Sequence, residues 1–255
     1  MNQLTLNPRE VVEYVVELGK EKTDKKAWLL ILQGIMAGAF ISFGGIAFLE
    51  VYANVTDPGL GLLLAAAIFP VGIMAILLTG LELVTSNSMV FIGVYNKSCR
   101  AKRALKMLGI VWAANLAGAV MAALMVKGAG ILSPQMISAV AEIGEAKAGL
   151  AIHEMILRGI LCNMLVCGGV LMALSGKDNI SKMAAIWLPI VVFILCHAEH
   201  IVANMFFLPM AYITGANIFI SDIIYSFFFV SVGNFIGGAL IVGGYSYLSQ
   251  IKAMT

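Results

Sequence analysis

Two strings place ionisable and amide side chains inside long apolar stretches: Glu82-Leu-Val-Thr-Ser-Asn87 and Glu199-His-Ile-Val-Ala-Asn204. Each reads E-x-x-x-x-N, and they stand 117 positions apart. An ionisable group at membrane depth is costly unless paired, and by default it marks a functional site. His200 is the first candidate, because an imidazole titrates near neutral pH and can donate or accept. Thr85 sits at the equivalent break in the other half, three residues after Glu82, where its hydroxyl can donate to a substrate or to His200. Glu82, Asn87, Glu199 and Asn204 read as scaffold polars that hold irregular backbone together. His197 and His153 are read the same plain way, His153 as a hydrated residue near a span end. Lys147, just before an apolar stretch, is a candidate for gathering anions. The cysteines at 99, 162, 167 and 196 have neither disulfide-framework nor metal-knuckle spacing, so they read as small core residues. No Gly-x-Ser-x-Gly elbow or paired metal-ligand motif is present, so we expect no catalytic activity, no metal and no cofactor.

The elements that position these residues follow from composition. The chain has 255 residues, 61% of them hydrophobic and 12% charged, against about 25% charged in an ordinary soluble domain. Its mean hydropathy is +0.96. So little charge cannot cover a water-facing surface, which excludes a soluble or disordered chain. The net charge of +2 argues against a nucleic-acid partner. A bilayer core about 30 Å thick needs about 20 apolar residues per helix. Six stretches qualify, at about 27–54, 60–95, 104–126, 148–174, 184–212 and 222–248. The expectation is a single all-α integral membrane domain over residues 1–255. The second and fifth stretches are too long for one plain crossing and should be broken near 80–90 and 195–200. Residues 1–26 are charged, not a secretory signal. Asn7-Pro8-Arg9-Glu10 reads as cap, proline at the first helical position and Glu at the third. It should open an amphipathic helix over 8–23, with Val11, Val12, Val15 and Leu18 on the face that meets the membrane surface or the bundle.

Thirteen basic residues fall before span 1, between spans 2 and 3, between spans 4 and 5, and after span 6. The opposite side has Lys127 and Lys147. By the positive-inside rule both termini are cytoplasmic. Asn115-Leu-Ala-Gly118 and Asn234-Phe-Ile-Gly237 repeat 119 positions apart, close to the offset of the acidic strings. That offset spans three crossings, so residues 27–126 and 148–248 should form an inverted 3+3 repeat with a polar site near the midplane.

The strings Glu82-Leu-Val-Thr-Ser-Asn-Ser-Met89, Leu161-Cys-Asn-Met-Leu-Val-Cys167, Glu199-His-Ile-Val-Ala-Asn-Met-Phe-Phe-Leu-Pro-Met210 and Val232-Gly-Asn-Phe-Ile-Gly-Gly-Ala-Leu-Ile-Val-Gly243 resemble the formate–nitrite transporter family. The resemblance runs over essentially the whole chain. It implies an aquaporin-like protomer in a homopentamer, each protomer with its own pore for small monovalent anions, in the cytoplasmic membrane. By matching position it implies His200 as central histidine, Thr85 as loop threonine, Lys147 as vestibule lysine, and Asn163 and Asn204 as pore-lining amides. It also implies constrictions from Phe69, Val84 and Val166 on one ring and Ile73, Leu83 and Phe193 on another. Formate- and nitrite-type members carry Phe where this chain has Val84, so the chain resembles the hydrosulfide subgroup more.

An anion between two apolar rings faces a desolvation penalty of several kcal/mol. It must be neutralised or strongly donated to, by His200 with Thr85. The rivals are an aquaporin-type neutral-solute pore, which lacks its Asn-Pro-Ala pair here, and a proton-coupled formate or nitrite symporter in the same fold. The topology predicts that an impermeant thiol reagent applied outside reaches single cysteines placed in 127–147 and misses those in 97–106; labelling of 97–106 would reverse the orientation.

Overall fold

The computed structural model describes residues 5–254, and all the regular elements among them are helices. They are α1 (Pro8–Asp24), α2 (Ala27–Asn54), α3 (Pro58–Ile68), α4 (Val71–Thr79), α5 (Val84–Asn87), α6 (Phe91–Tyr95), α7 (Ala101–Gly128), α8 (Pro134–Ala148), α9 (Ile152–Ser175), α10 (Asn179–Leu195), α11 (Ile201–Thr214), α12 (Ile220–Phe235) and α13 (Gly244–Gln250). A 3₁₀ turn over Ser88–Val90 joins α5 to α6, and π-helical turns over Ile236–Gly243 join α12 to α13. α2, the α3–α4 pair, α7, α9 and the α12–α13 run are long and apolar enough to cross a membrane. α10 and α11 are the two halves of a further, broken crossing, and α5–α6 continue the broken second one.

α1 is built as its sequence dictates. Asn7 Oδ1 accepts the Glu10 N–H and the Glu10 carboxylate accepts the Asn7 N–H, a reciprocal capping box ahead of Pro8. Its buried face is Val11, Val12, Val15, Val16 and Gly19, with Leu18 half-buried at its edge. That face packs beneath the bundle: Gly19 lies against Val90, and the Leu6 N–H donates to Ser175 O at 2.8 Å. Of the two placements open to an amphipathic helix, the structure shows packing under the bundle.

One element lies where the sequence suggests a loop. Residues 134–148 form α8, with the Ser133 side chain capping the Met136 N–H and Pro134 at the first helical position. Ser-Pro is the standard signature of a helix start. At 15 residues α8 is too short to cross, and it packs on α2, α11 and α12.

The second crossing breaks at Gly80, which takes φ +69 and lets the Leu81 N–H close on Ile76 O. Leu81, Glu82 and Leu83 leave the helix before α5 starts. The fifth breaks 117 positions later at His197, with φ +50, and the Ala198 N–H closes on Phe193 O. Glycine takes this left-handed conformation freely, whereas a side chain costs about 1–2 kcal/mol there. Backbone freed in this way needs partners, since an unpaired group in an apolar slab costs several kcal/mol. Two asparagines supply them. Asn115 on α7 donates to Gly34 O and Glu82 O and accepts the Val84 N–H, all within 2.9 Å. Asn234 on α12 donates to Gly159 O and Glu199 O and accepts the Ile201 N–H, again within 2.9 Å. Each amide thereby ties a loop to the helix hairpin behind it.

The helices that carry these amides sit unusually close to their partners. A Cβ added at Gly118 would overlap Ile35 O on α2, and one at Gly237 would overlap Ile160 O on α9. Replacing Asn115 or Asn234 with Leu orphans three backbone groups at once. At about 1–3 kcal/mol for each unsatisfied group, we expect a loss of several kcal/mol. Thermal unfolding in detergent checks this: either variant should melt well below Asn54→Ala, which alters an exposed amide, and equal melting would remove the fastener role.

Candidate functional site

The two acidic residues at the breaks are buried and fully engaged. Glu82, with no solvent exposure, accepts from Lys22 of α1, from Lys25 just past its C-terminus and from Asn87 Nδ2, each at 2.7 Å. Lys22 Nζ also donates to Asn87 Oδ1 at 2.7 Å. At the other break, both oxygens of Glu199 accept from Lys147 Nζ at 2.9 Å, and Asn204 Nδ2 donates to Oε2 at 2.7 Å. Asn204 Nδ2 also reaches Ser226 Oγ at 3.1 Å. A carboxylate withdrawn from water persists charged only with such partners. Lys147 lies in the last turn of α8, so this undetected helix is what delivers it. The candidate anion gatherer thus lines the vestibule as one half of an ion pair with Glu199. Lys22 and Lys25 were legible only as part of a basic terminus: a pairing across some sixty residues leaves no local signal.

His200 is the N-cap of α11 and is nearly fully buried. Its Nδ1 accepts the Ala203 N–H at 3.2 Å, and its Nε2 lies 3.0 Å from Thr85 Oγ1. The first bond assigns the tautomer. A hydrogen on Nδ1 would meet the Ala203 N–H head on, so Nδ1 holds a lone pair and Nε2 carries the hydrogen. Nε2–H then donates to Thr85 Oγ1, which leaves the threonine hydroxyl hydrogen free for another acceptor. Thr85 therefore receives from His200, the reverse of one sequence expectation. The imidazole stacks on Phe193 with ring centroids 5.9 Å apart, and Phe193 meets Phe69 edge-on at 6.1 Å.

The pair lies between two vestibules. One, of about 270 Å³, is lined by Phe69, Lys147, Arg158, Phe193, His197, Glu199 and His200 among others. The other, of about 350 Å³, is lined by Lys22, Lys25, Ile73, Glu82, Ser86 and Asn87 among others. Of the expected constriction residues, Phe69 meets Phe193 edge-on, and Val84 packs against the core cluster that holds Phe69 and Val166. Ile73 faces the opposite vestibule. Leu83 and Val166 are fully buried in the same core cluster. Val84, with Thr85 and Asn163, lines a third space, a lateral cleft between α7 and α12. Asn163 is buried, with Nδ2 donating to Thr85 O, Ser88 Oγ and Asn234 O. His153 is exposed and His197 stands at the vestibule wall. Cys162 and Cys167 are core residues and Cys99 is half-buried, but Cys196, expected in the core, is exposed at the turn before His197. Among the described residues no group of His, Cys, Asp or Glu could hold a metal ion.

The family model for the formate/nitrite transporter matches residues 9–248. The chain is 32% identical over 254 residues to the uncharacterized transporter YrhG of Bacillus subtilis, covering 96% of this chain and 94% of that one. It is 31% identical over 240 residues to the formate channel BtFdhC of Bacillus thuringiensis, with 92% of each covered. It is 30% identical over 217 residues to the nitrite transporter NirC of Escherichia coli, covering 83% of this chain and 80% of that one. A solved pentameric formate channel with formate bound superposes with a TM-score of 0.76 at 26% identity, over 88% of this chain and 97% of that one. An FNT family ion channel superposes with a TM-score of 0.86 at 24% identity, over 94% and 98%. With a family model spanning nearly its full length, this multi-pass membrane chain belongs to the formate/nitrite transporter family.

Proposed function

We propose that the protein is a channel for small monovalent anions, hydrosulfide first and formate or nitrite beside it, in the cytoplasmic membrane. Both termini then face the cytoplasm, the α1-side vestibule is the inner one, and the protomers assemble as a homopentamer. The observation that carries the reading is the buried His200–Thr85 pair between two lysine-bearing vestibules. An anion entering the outer vestibule meets Lys147, sheds water at the Phe69–Phe193 contact, and needs a donor beyond it. The Thr85 hydroxyl supplies that donor. His200 polarises it through Nε2–H, because hydrogen bonds in a chain strengthen one another in low dielectric. In this scheme the histidine acts as a fixed dipole and gives up no proton. That supports a channel over a proton-coupled symporter. The hydrosulfide preference rests on the small Val84 beside Thr85, and the pentamer on the likeness to the pentameric formate channel.

Two measurements test the reading. Thr85→Val keeps the shape and removes the donor, so anion flux into proteoliposomes should fall at least tenfold for hydrosulfide, formate and nitrite alike. His200→Asn retains the α11 cap, Asn being a preferred N-cap residue, but its amide does not reach Thr85. It should also lose about tenfold, and the double variant should be no worse than either single one, the mark of one shared interaction. Additive losses, or an assembled His200→Asn pore with normal flux, would sink the relay. Formate outrunning hydrosulfide through the unmodified protein would reverse the substrate order while leaving the channel.

The vestibule lysine gives a further expectation. Since Lys147 and Glu199 neutralise each other, Glu199→Gln exposes an unpaired cation at the outer mouth. Flux at low ionic strength should then depend more steeply on salt than in the unmodified protein, because screening acts on net charge. An unchanged salt dependence in an assembled channel would place the lysine outside the anion path.

A further inference from the structure

Arg158 is a charged side chain inside a crossing. It is the seventh residue of α9, so at about 1.5 Å per residue it stands roughly 9 Å in from that end of the helix. An ionisable group at such depth is costly and by default marks a functional site. Its backbone reaches the break in the fifth crossing, where Arg158 O accepts the Glu199 N–H at 3.2 Å. Helical side chains point back toward the helix N-terminus, so its side chain leans away from the break toward the mouth. There it lines the vestibule that also holds Lys147 and His200.

The two cations of this vestibule are spent differently. Lys147 Nζ lies 2.9 Å from both oxygens of Glu199. Among the described residues the Arg158 guanidinium has one polar partner, Glu154 Oε1 at 3.6 Å. A charge-assisted hydrogen bond runs at about 2.7–2.9 Å, so this contact is an ion pair without a hydrogen bond. Glu154 is also drawn to the helix start, where its Oε2 accepts the Ala151 N–H at 2.9 Å. The two side chains are 37% and 40% exposed, and water screens their attraction. Glu142 lines the same cavity from α8, but among the described residues it forms no ion pair with Arg158. Arg158 therefore keeps its planar fork of N–H donors uncommitted at the wall of a cavity of about 270 Å³.

We propose that Arg158 is a specificity-determining residue for oxyanions. Its fork takes the two oxygens of formate or nitrite side by side, whereas hydrosulfide, with one acceptor atom, gains only the charge. An ammonium supplies charge without a fork, so Lys147 does not make this distinction. The inference rests on the channel reading and deepens it, because it separates the group that sorts anions from the Thr85 donor that all of them use. The part-exposed guanidinium stays hydrated, so its grip is brief. It sets the half-saturation concentration, while the Phe69–Phe193 contact and Thr85 set the maximal flux.

Initial uptake into proteoliposomes, measured against anion concentration at fixed pH and ionic strength, tests this. Arg158→Lys should raise the half-saturation concentration at least fivefold for formate and nitrite. It should change that of hydrosulfide less than twofold and leave all three maximal rates in place. A merely structural role would move the three anions together. Glu154→Gln keeps an oxygen for the Ala151 N–H and removes the competing charge. It should lower the formate half-saturation at least twofold, and it stands in should Arg158→Lys fail to assemble. Broadening of the resonance of isotope-labelled formate by the solubilised oligomer reads binding without conduction, and Arg158→Lys should weaken that binding at least fivefold. An unmodified protein that passes none of the three anions would end the channel reading, and the binding measurement would then decide for Arg158 by itself. Equal shifts for hydrosulfide and formate, an unchanged half-saturation in the assembled variants, or formate binding undiminished in Arg158→Lys would each overturn the proposal.

Discussion

Backbone hydrogen bonding in an apolar slab is the constraint on which this structure turns. Two crossings are interrupted near their middles, and each interruption frees N–H and C=O groups where no water can reach them. Asn115 and Asn234 absorb that cost, each binding three backbone groups across two neighbouring elements. Without those amides the loops at 80–83 and 196–200 would revert to helix or expose orphaned groups, and neither Thr85 nor His200 would be held in place. The glycines at 118 and 237 are part of the same device, because they let the amide-bearing helices approach within reach of the loops.

The carboxylates build on that frame. Glu82 and Glu199 each sit on a loop, buried, with an asparagine five residues on and lysine from a distant helix. Their partners come from unrelated elements, α1 at one end and α8 at the other. A buried ion pair contributes little net stability, yet losing one partner costs about 3–5 kcal/mol. The pairs therefore act as locks that keep α1 and α8 seated over the two vestibules. The repeat is also imperfect at the buried His200–Thr85 contact. At the shared offset of 117, Leu83 corresponds to His200 and Thr85 to Val202. The single His200–Thr85 contact is made of one member from each half, which a strictly symmetric pore could not supply.

The uneven legibility of the two breaks has a physical cause. Gly80 announces its left-handed turn by residue type, whereas His197 takes the same conformation against its preference, held by the packing around it. α8 carried a readable Ser-Pro start, but its moderate polarity made it look like a loop between two strongly apolar spans. The constriction residues were expected from the family resemblance, by matching position. Their grouping into rings depends on rotations of whole helices, which periodicity along one helix does not encode.

Composition and residue pattern alone settle the class of the molecule and its interrupted crossings. Low charge, apolar run length and the twice-repeated E-x-x-x-x-N and N-x-x-G strings are local facts with strong physical consequences in a bilayer. Tertiary structure alone decided which polar group answers which. It matched Lys22 and Lys25 to Glu82, took the charge of Lys147 for Glu199, and set the His200 tautomer through the Ala203 N–H. It also left Asn163 Oδ1 without a donor. Hydrogen bonds act within about 3 Å, and chain separation along the sequence says nothing about that distance until the helices have packed.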